Sequence, residues 1–429
     1  MPHPPAAPRK KTRRIPAFLR HVGPGVVTGA ADDDPSGIAT YTQAGAQFGT
    51  GVLWTVFLTI PFMIGIQLVS ARIGRQSGQG IAANLRLHTP RFFLFAIVGL
   101  LLIANTINIA ADIAAMGQAL QLVVGGGAHF YAVGFGVLTL LLQVFVPYRR
   151  LAPILKWLTL SLFVYVATAF TVQIPWARVL HDLVLPRVIP DSAFWMMIVA
   201  ILGTTISPYL FFWQAAQEVE EMRLRGLKAG AESSRALKRA KRRMRLDTVV
   251  GMVFSNGIAF FVMLTGAVVL HRAGVTDVQT AAQAAQALRP LAGDFAFALF
   301  SLGIVATGLL AVPVLASSAA YAVAEAFGWP EGLERHWREA KGFYAIIGIA
   351  TIVGTGLDFT PIDPMKALYW SAVVNGVVAV PIMVAMMILS GNATVMGSLP
   401  VRRKTRFFGW GAVAVMLVAV AMMGWDLVR

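Results

Sequence analysis

The sequence predicts an all-α polytopic membrane protein, on three observations. Of its 429 residues, 57% are hydrophobic and only 13% charged, a balance unlike that of soluble globular chains. Apolar runs of about 20 residues, the length that crosses a bilayer, follow one another with short polar connections and leave no room for a sizeable soluble domain. Basic residues concentrate in alternate connections, the asymmetry that orients membrane helices. The net charge of +16 is therefore read as topology, with no nucleic-acid partner expected. The absence of cysteine excludes disulfides and thiolate metal sites, leaving His and Met as the softer ligands.

Eleven spans are expected, over 23–49, 51–73, 92–123, 130–147, 151–172, 194–217, 249–270, 295–320, 343–357, 367–389 and 407–425. The stretch "PRKKTRR" resembles the basic start of a signal peptide. The apolar segment behind it carries acids and no cleavage pattern, so it is read as a retained first span. Arg72, Arg75, Arg86 and Arg91 follow the second span, Arg149 and Arg150 the fourth, "RALKRAKRRMR" the sixth and "RRKTR" the tenth; "VVGGGAH" after the third has neither Lys nor Arg. This places the N-terminus in the cytoplasm and the C-terminus outside, in a bacterial-type inner membrane. The expected organisation is a basic tail over 1–22, five-span units over 23–172 and 173–390, and a last span within 391–429. The basic connection 223–245 reads as a solvated cytoplasmic helix near anionic headgroups.

Two spans are broken. In the first, "ADDDPSG" inserts Asp32, Asp33, Asp34, Pro35 and Gly37 into an otherwise apolar run, where Pro lacks an N–H and Gly tolerates unusual dihedrals. In the sixth, "LGTTISPYLFFWQ" sets Gly203, Thr204, Thr205, Ser207 and Pro208 near mid-span. Unwound backbone at bilayer depth survives only inside protein or beside a watery cavity. Two interrupted helices, one in each five-span unit, point to a secondary transporter built from inverted repeats. The free carbonyls ending each first half-helix favour a cation, and a carboxylate at the break adds full charge. Asp34 abuts the break and is the expected ligand, with the Thr205 and Ser207 hydroxyls as further oxygens. Hard oxygen ligands suit magnesium, calcium or manganese, while Asp32 and Asp33 are left to face water in a vestibule or to share protons. Asn105, Asn108 and Asp112 share one face of the third span, either lining an ion path or bonding neighbouring helices. Asn375 in the tenth span and Gln43 in the first are candidates to contact a hydrated ion. Glu218, Glu220 and Glu221 read as solvated charges pairing with the arginines that follow, and the histidines show no site-building spacing.

The segment "GPGVVTGAADDDPSGIATYTQAGAQFG" resembles the first helix of the Nramp family of divalent metal transporters, which carries Asp-Pro-Gly-Asn. "GTTISPY" resembles that family's Ala-x-x-Met-Pro-His segment, and "GIVATGLLAVPVLASSAAYA" in the eighth span is similar as well. The resemblance implies the leucine-transporter architecture, two inverted five-helix repeats plus one extra helix. Asp34 and Pro35 keep the motif, but Gly37 stands at the family's Asn ligand. Thr204 stands at the Ala whose carbonyl binds metal, Ser207 at the Met whose thioether selects soft metals, and Tyr209 at the His implicated in proton movement. In the third span Asp112 is kept, and Ala115 replaces a glutamate of the proton route. Losing the thioether removes a device favouring soft metals, and smaller residues leave volume for retained waters. The implied site is oxygen-lined and wide, formed by Asp34, carbonyls near Ala31 and Thr204, and the Thr205 and Ser207 hydroxyls. It is similar to that of the Nramp-related magnesium transporters.

The expected activity is alternating-access transport of magnesium or manganese, with the ion as substrate, no cofactor, the bilayer as the other partner, and a monomer. Two alternatives compete. An intramembrane magnesium enzyme acting on diphosphates needs a second acidic cluster, and "GLDFTPIDP" spaces its acids too far apart. A same-fold symporter of an anionic solute would meet repulsion at an acidic break.

Overall fold

The computed structural model describes residues 24–146, 159–189, 191–227, 234–397 and 400–428, and among these the chain is helical with no strand. The first span is two helices, α1 (Pro24–Asp32) and α2 (Pro35–Phe48), with Pro35 opening the second. There follow α3 (Trp54–Ser77), the short α4 (Ile81–His88), α5 (Arg91–Val124), α6 (Ala128–Phe145), α7 (Phe163–Ala169) and the amphipathic α8 (Trp176–Val184). The sixth span is again two helices, α9 (Ser192–Thr205) and α10 (Pro208–Leu224). The remainder comprises α11 (Ser234–Thr265), α12 (Ala296–Phe327), α13 (Lys341–Leu357), α14 (Pro364–Gly391) and α15 (Arg403–Val428).

Among the described residues, eight helical stretches are long and apolar enough to cross a membrane, and 160–169 and 341–357 are shorter apolar helices. With the broken first span these correspond to the expected set. The protein is thus a multi-pass membrane protein. The first part of the expected fifth span, the loop arginines Arg149 and Arg150, and the basic tail over 1–22 lie outside the described residues. One expectation changes: the basic connection after the sixth span runs from Ser234 directly into the seventh span as a single helix of 32 residues.

Local chemistry sets the ends. Asp191 accepts from the Phe194 N–H at 2.6 Å and Asp363 from the Met365 N–H at 2.8 Å, each satisfying one of the orphan donors at a helix start. The core is made by α12 along α5, α1 along α11, and α9 along α14. Small residues let these backbones touch, the usual basis of helix association in lipid. A Cβ on Gly203 would meet Ala372 O and, at 2.5 Å, Gly376 N; one on Gly376 would meet Val199 O at 2.6 Å. Gly29 meets Gly251 in the same way at the α1–α11 crossing. The crossing at Gly203 lies just before the break of the sixth span, so it sets where that break sits.

Replacing Gly203 by Val forces α9 off α14, an overpacking expected to cost about 1–3 kcal/mol or more. Thermal unfolding of the purified variant in detergent should show a lower Tm than the parent.

Candidate metal-ion site

The two breaks face each other at the centre of the bundle. Asp34 caps α2: its Oδ1 accepts from the Gly37 N–H at 2.7 Å and the Ser36 hydroxyl at 2.9 Å, and its Oδ2 accepts from Asn108 Nδ2 of α5 at 2.9 Å. The carboxylate is 1% exposed. At the end of α1, Ala31 O accepts the Tyr209 hydroxyl of α10 at 2.8 Å, so one contact ties the two broken spans together.

The sixth-span donors are arranged differently from expectation. Ser207 donates its hydroxyl to Gly203 O at 2.8 Å and Thr204 O at 2.7 Å, and Thr205 donates to Ile201 O at 2.7 Å. Hydroxyls beside a helix end find the nearest orphan carbonyls. The carbonyls of Ala31 and Thr204 therefore each carry a protein donor already, with one lone pair remaining on each. Thr205 is turned along its own helix, and nothing links it to the first break. The side chain of Thr204 is what faces that break: its buried Oγ1 has no partner and lies 3.0 Å from the position a Cβ on Gly37 would take. Asp34 Oδ1 lies 3.4 Å from the same point. The volume expected from Gly37 is thus partly filled by the Thr204 hydroxyl, and the two positions are matched.

The polar stripe of α5 divides by role. Asn105 donates to Leu315 O and the Ser318 hydroxyl of α12, a helix–helix bond, and Thr106 bonds its own helix. Asn108 holds Asp34 and keeps a free Oδ1; Asp112 is fully buried with both oxygens unpartnered, beside the Ser36 backbone and within electrostatic reach of Asp34. Asn375 on α14 is 1% exposed, and neither its Oδ1 nor its Nδ2 has a partner. Ala115 is buried among apolar neighbours.

Asp32 and Asp33, expected at a watery vestibule, are buried at 0% and 2% exposure. Their partner is Ser255 of α11, which donates to Asp32 Oδ2 at 2.6 Å and lies 3.2 Å from Asp33 Oδ1. Sequence reasoning missed Ser255, although "FSNG" sets two polar residues in an apolar span. It also missed Tyr41, whose buried hydroxyl lies beside that of Thr204 and within electrostatic reach of all three acids. None of the four buried aspartates is paired with a Lys or Arg among the described residues. No three acidic or histidine side chains converge there as a cluster, so an ion would meet one or two carboxylates and neutral oxygens.

Other expected residues lie away from the breaks. Gln43 Oε1 accepts the Val278 N–H at 2.7 Å and so binds α2 to the 275–280 segment. The acids ending α10 are mostly not solvated: Glu218 pairs with Arg75 at 3.5 Å, and Glu220 accepts from the Tyr321 hydroxyl and the Leu333 N–H. Only Glu221, with Arg225 and Arg243, matches the expected pairing. A cavity of about 400 Å³ lined by Ala39, Gln43, Ser192, Asp277, Lys366 and Trp370 opens at the end where α2 finishes and α9 begins. Ala39 is five residues beyond Asp34, about 7.5 Å of helix rise. On the opposite side α1 is docked: Asp247 accepts the Gly25 N–H at 2.6 Å and Thr28 bonds Gln214 at 2.7 Å.

A family profile described as natural resistance-associated macrophage protein-like, Nramp, matches residues 25–426. The chain belongs to the Nramp family. The divalent metal cation transporter MntH of Klebsiella pneumoniae is 28% identical over 420 residues, 96% of this chain and 94% of that protein. MntH of Yersinia pestis is 26% identical over 430 residues, 98% of this chain and 97% of that one. A crystal structure of the Eremococcus coleocola manganese transporter superposes with a TM-score of 0.73 at 18% identity, covering 97% of this chain and 89% of that one. Mhp1, a nucleobase-cation-symport-1 family transporter, superposes at 0.57 with 14% identity, covering 94% and 92%. These likenesses show the fold, the leucine-transporter-like inverted repeat with its first and sixth helices broken. Nramp relatives are named as transporters, and this protein is a transporter rather than an enzyme.

Asp34→Asn keeps a capping acceptor and removes the charge, whereas Asp34→Ala also removes a cap worth about 1 kcal/mol. Both variants should fold and lose divalent-ion binding by isothermal titration calorimetry; retained affinity in the Asn variant would show that the ion does not rest on this carboxylate. Gly37→Asn should weaken binding because its side chain meets Thr204. Adding Thr204→Ala should restore part of the loss, giving a coupling energy in a double-mutant cycle.

Proposed function

We propose that this Nramp-family protein imports a divalent cation by alternating access and that its cargo is magnesium, carried with part of its water shell. The observation that carries this reading is the chemistry between the breaks. Asp34, the Thr204 hydroxyl, the Asn108 carbonyl oxygen and the remaining lone pairs of Ala31 O and Thr204 O are all hard donors; the buried, unpartnered Asn375 of α14 is a further candidate oxygen. Ser207 contributes a hydroxyl where the family places a thioether. Oxygen donors with few charges suit a small ion that keeps several waters, whereas a thioether is what raises affinity for manganese or cadmium over abundant hard ions.

The mechanism follows from the geometry. An ion entering the vestibule passes Asp277 on its lining before it reaches Asp34, and Asn108 and the Gly37 N–H hold the Asp34 carboxylate in one orientation. Release to the other side requires α1 to leave α11 and α10, breaking the Asp247–Gly25, Thr28–Gln214 and Tyr209–Ala31 contacts. With the N-terminus in the cytoplasm, an inside-negative potential drives entry by about 2.3 kcal/mol per elementary charge per 100 mV, roughly twice that for a dication. Tyr209 donates its hydroxyl to Ala31 O at 2.8 Å and Ala115 has no ionisable group, so this reading expects transport without proton coupling.

A manganese reading has one observation of its own. The Sδ of Met116 on α5 packs at Gly308 of α12, where the Pro35 ring also converges. A small shift of α5 would bring that thioether toward the break.

Proteoliposomes held at fixed membrane potential decide between the two. Magnesium uptake without internal acidification is expected, with manganese weaker; manganese or cadmium uptake accompanied by acidification would reject the hard-ion reading and make Met116→Leu the next variant. Ser207→Met should raise affinity for manganese or cadmium by returning a thioether, measured as a lower KM in the same assay.

A further inference from the structure

The end of the bundle opposite the vestibule holds a cluster of cations around a buried one. Arg72 lies near the end of α3 at 8% exposure, next to the contact in which Leu68 and Ala71 pack on Met244 of α11. Its Nη1 is buried and donates no hydrogen bond. The charges that act on it are positive: Arg245 of α11 and Arg402 just before α15, while Lys241, one turn before Arg245, in turn feels Arg72 and Arg402. Arg75, one turn further along α3, is treated differently and has Glu218 at 3.5 Å. Among the described residues no carboxylate is paired with Arg72.

Withdrawing a guanidinium from water is unfavourable unless an anion and hydrogen bonds offset it. Neighbouring cations add to that cost. Topological sorting explains exposed basic residues such as Arg239 and Arg242, but it gives no reason to bury a guanidinium and set like charges around it. An anion with several oxygens would satisfy Arg72 and be met by Arg245 and Arg402, which stand exposed beside it. The guanidinium fork matches two phosphate oxygens, and a phosphodiester at a bilayer surface meets Lys and Arg at headgroup depth.

We propose that Arg72, Arg245 and Arg402 form a binding site for the phosphate of an anionic ligand, a phospholipid headgroup or a free phosphate. The bound phosphate ties together the second, seventh and eleventh spans. Asp247, which accepts the Gly25 N–H, follows Arg245 by two residues on α11, so the tie also steadies the docked position of α1.

Thermal unfolding of the full chain in nanodiscs tests this, with discs of phosphatidylcholine alone, of phosphatidylcholine with phosphatidylglycerol, and of phosphatidylcholine in buffer containing inorganic phosphate. The parent protein should melt higher with one of the two phosphate sources than in phosphatidylcholine alone, and which source raises it identifies the natural ligand. Arg245→Gln with Arg402→Gln should abolish that rise, and Arg72→Gln should do the same where it folds. Arg235→Gln with Arg239→Gln, equal in charge and more than a turn before Arg245 on α11, should keep it. No rise in the parent with either source, or equal loss in both double variants, would overturn the proposal.

Discussion

Breaking a helix at membrane depth leaves backbone groups that lipid cannot satisfy, and the rest of this structure follows from how the first break is satisfied. Asp34 accepts one orphan N–H of α2 and anchors to α5 through Asn108; Ala31 O at the other lip is met by Tyr209 from the second break. Each contact uses a group that an ion would also want. The candidate site is therefore built from the hydrogen bonds that hold the break open, and the oxygens an ion would meet there are preorganised by folding. The same constraint explains the back-bonded Ser207 and Thr205, whose hydroxyls settle the orphan carbonyls of α9.

Both broken spans are seated by backbone contact. The second meets α14 at Gly203 and Gly376, and the first meets α11 at Gly25, Gly29 and Gly251. The first adds polar contacts along its length, Asp247 to Gly25, Ser255 to Asp32 and Thr28 to Gln214. Polar contacts can exchange for water one at a time, whereas a steric fit is lost at once. A swing of α1 would therefore have to release both kinds of contact.

The acidic triplet divides into unlike parts. Asp34 faces the second break, whereas Asp32 and Asp33 share the Ser255 hydroxyl on α11. Three carboxylates in low dielectric repel one another strongly. Among the described residues none of the three is paired with Lys or Arg, so a dication at the break would relieve that repulsion.

The span pattern, the two breaks, Asp34 as the charged group at the first of them and the family resemblance were all legible in the sequence, because each depends on local composition: apolar length, a proline and its neighbours in the chain. Those features are sufficient to set the fold class and the kind of ion. Which oxygens face the ion was decided only by tertiary structure. Whether Thr204 presents its hydroxyl or its carbonyl, whether Asn105 or Asn108 reaches Asp34, and whether Asp32 meets water or Ser255 depend on helix rotation and crossing. Those are set by contacts such as Gly203 with Gly376, far apart in sequence. The burial of Arg72 among other cations was hidden for the same reason: a basic loop reads alike whether its side chains point to water or converge between helices.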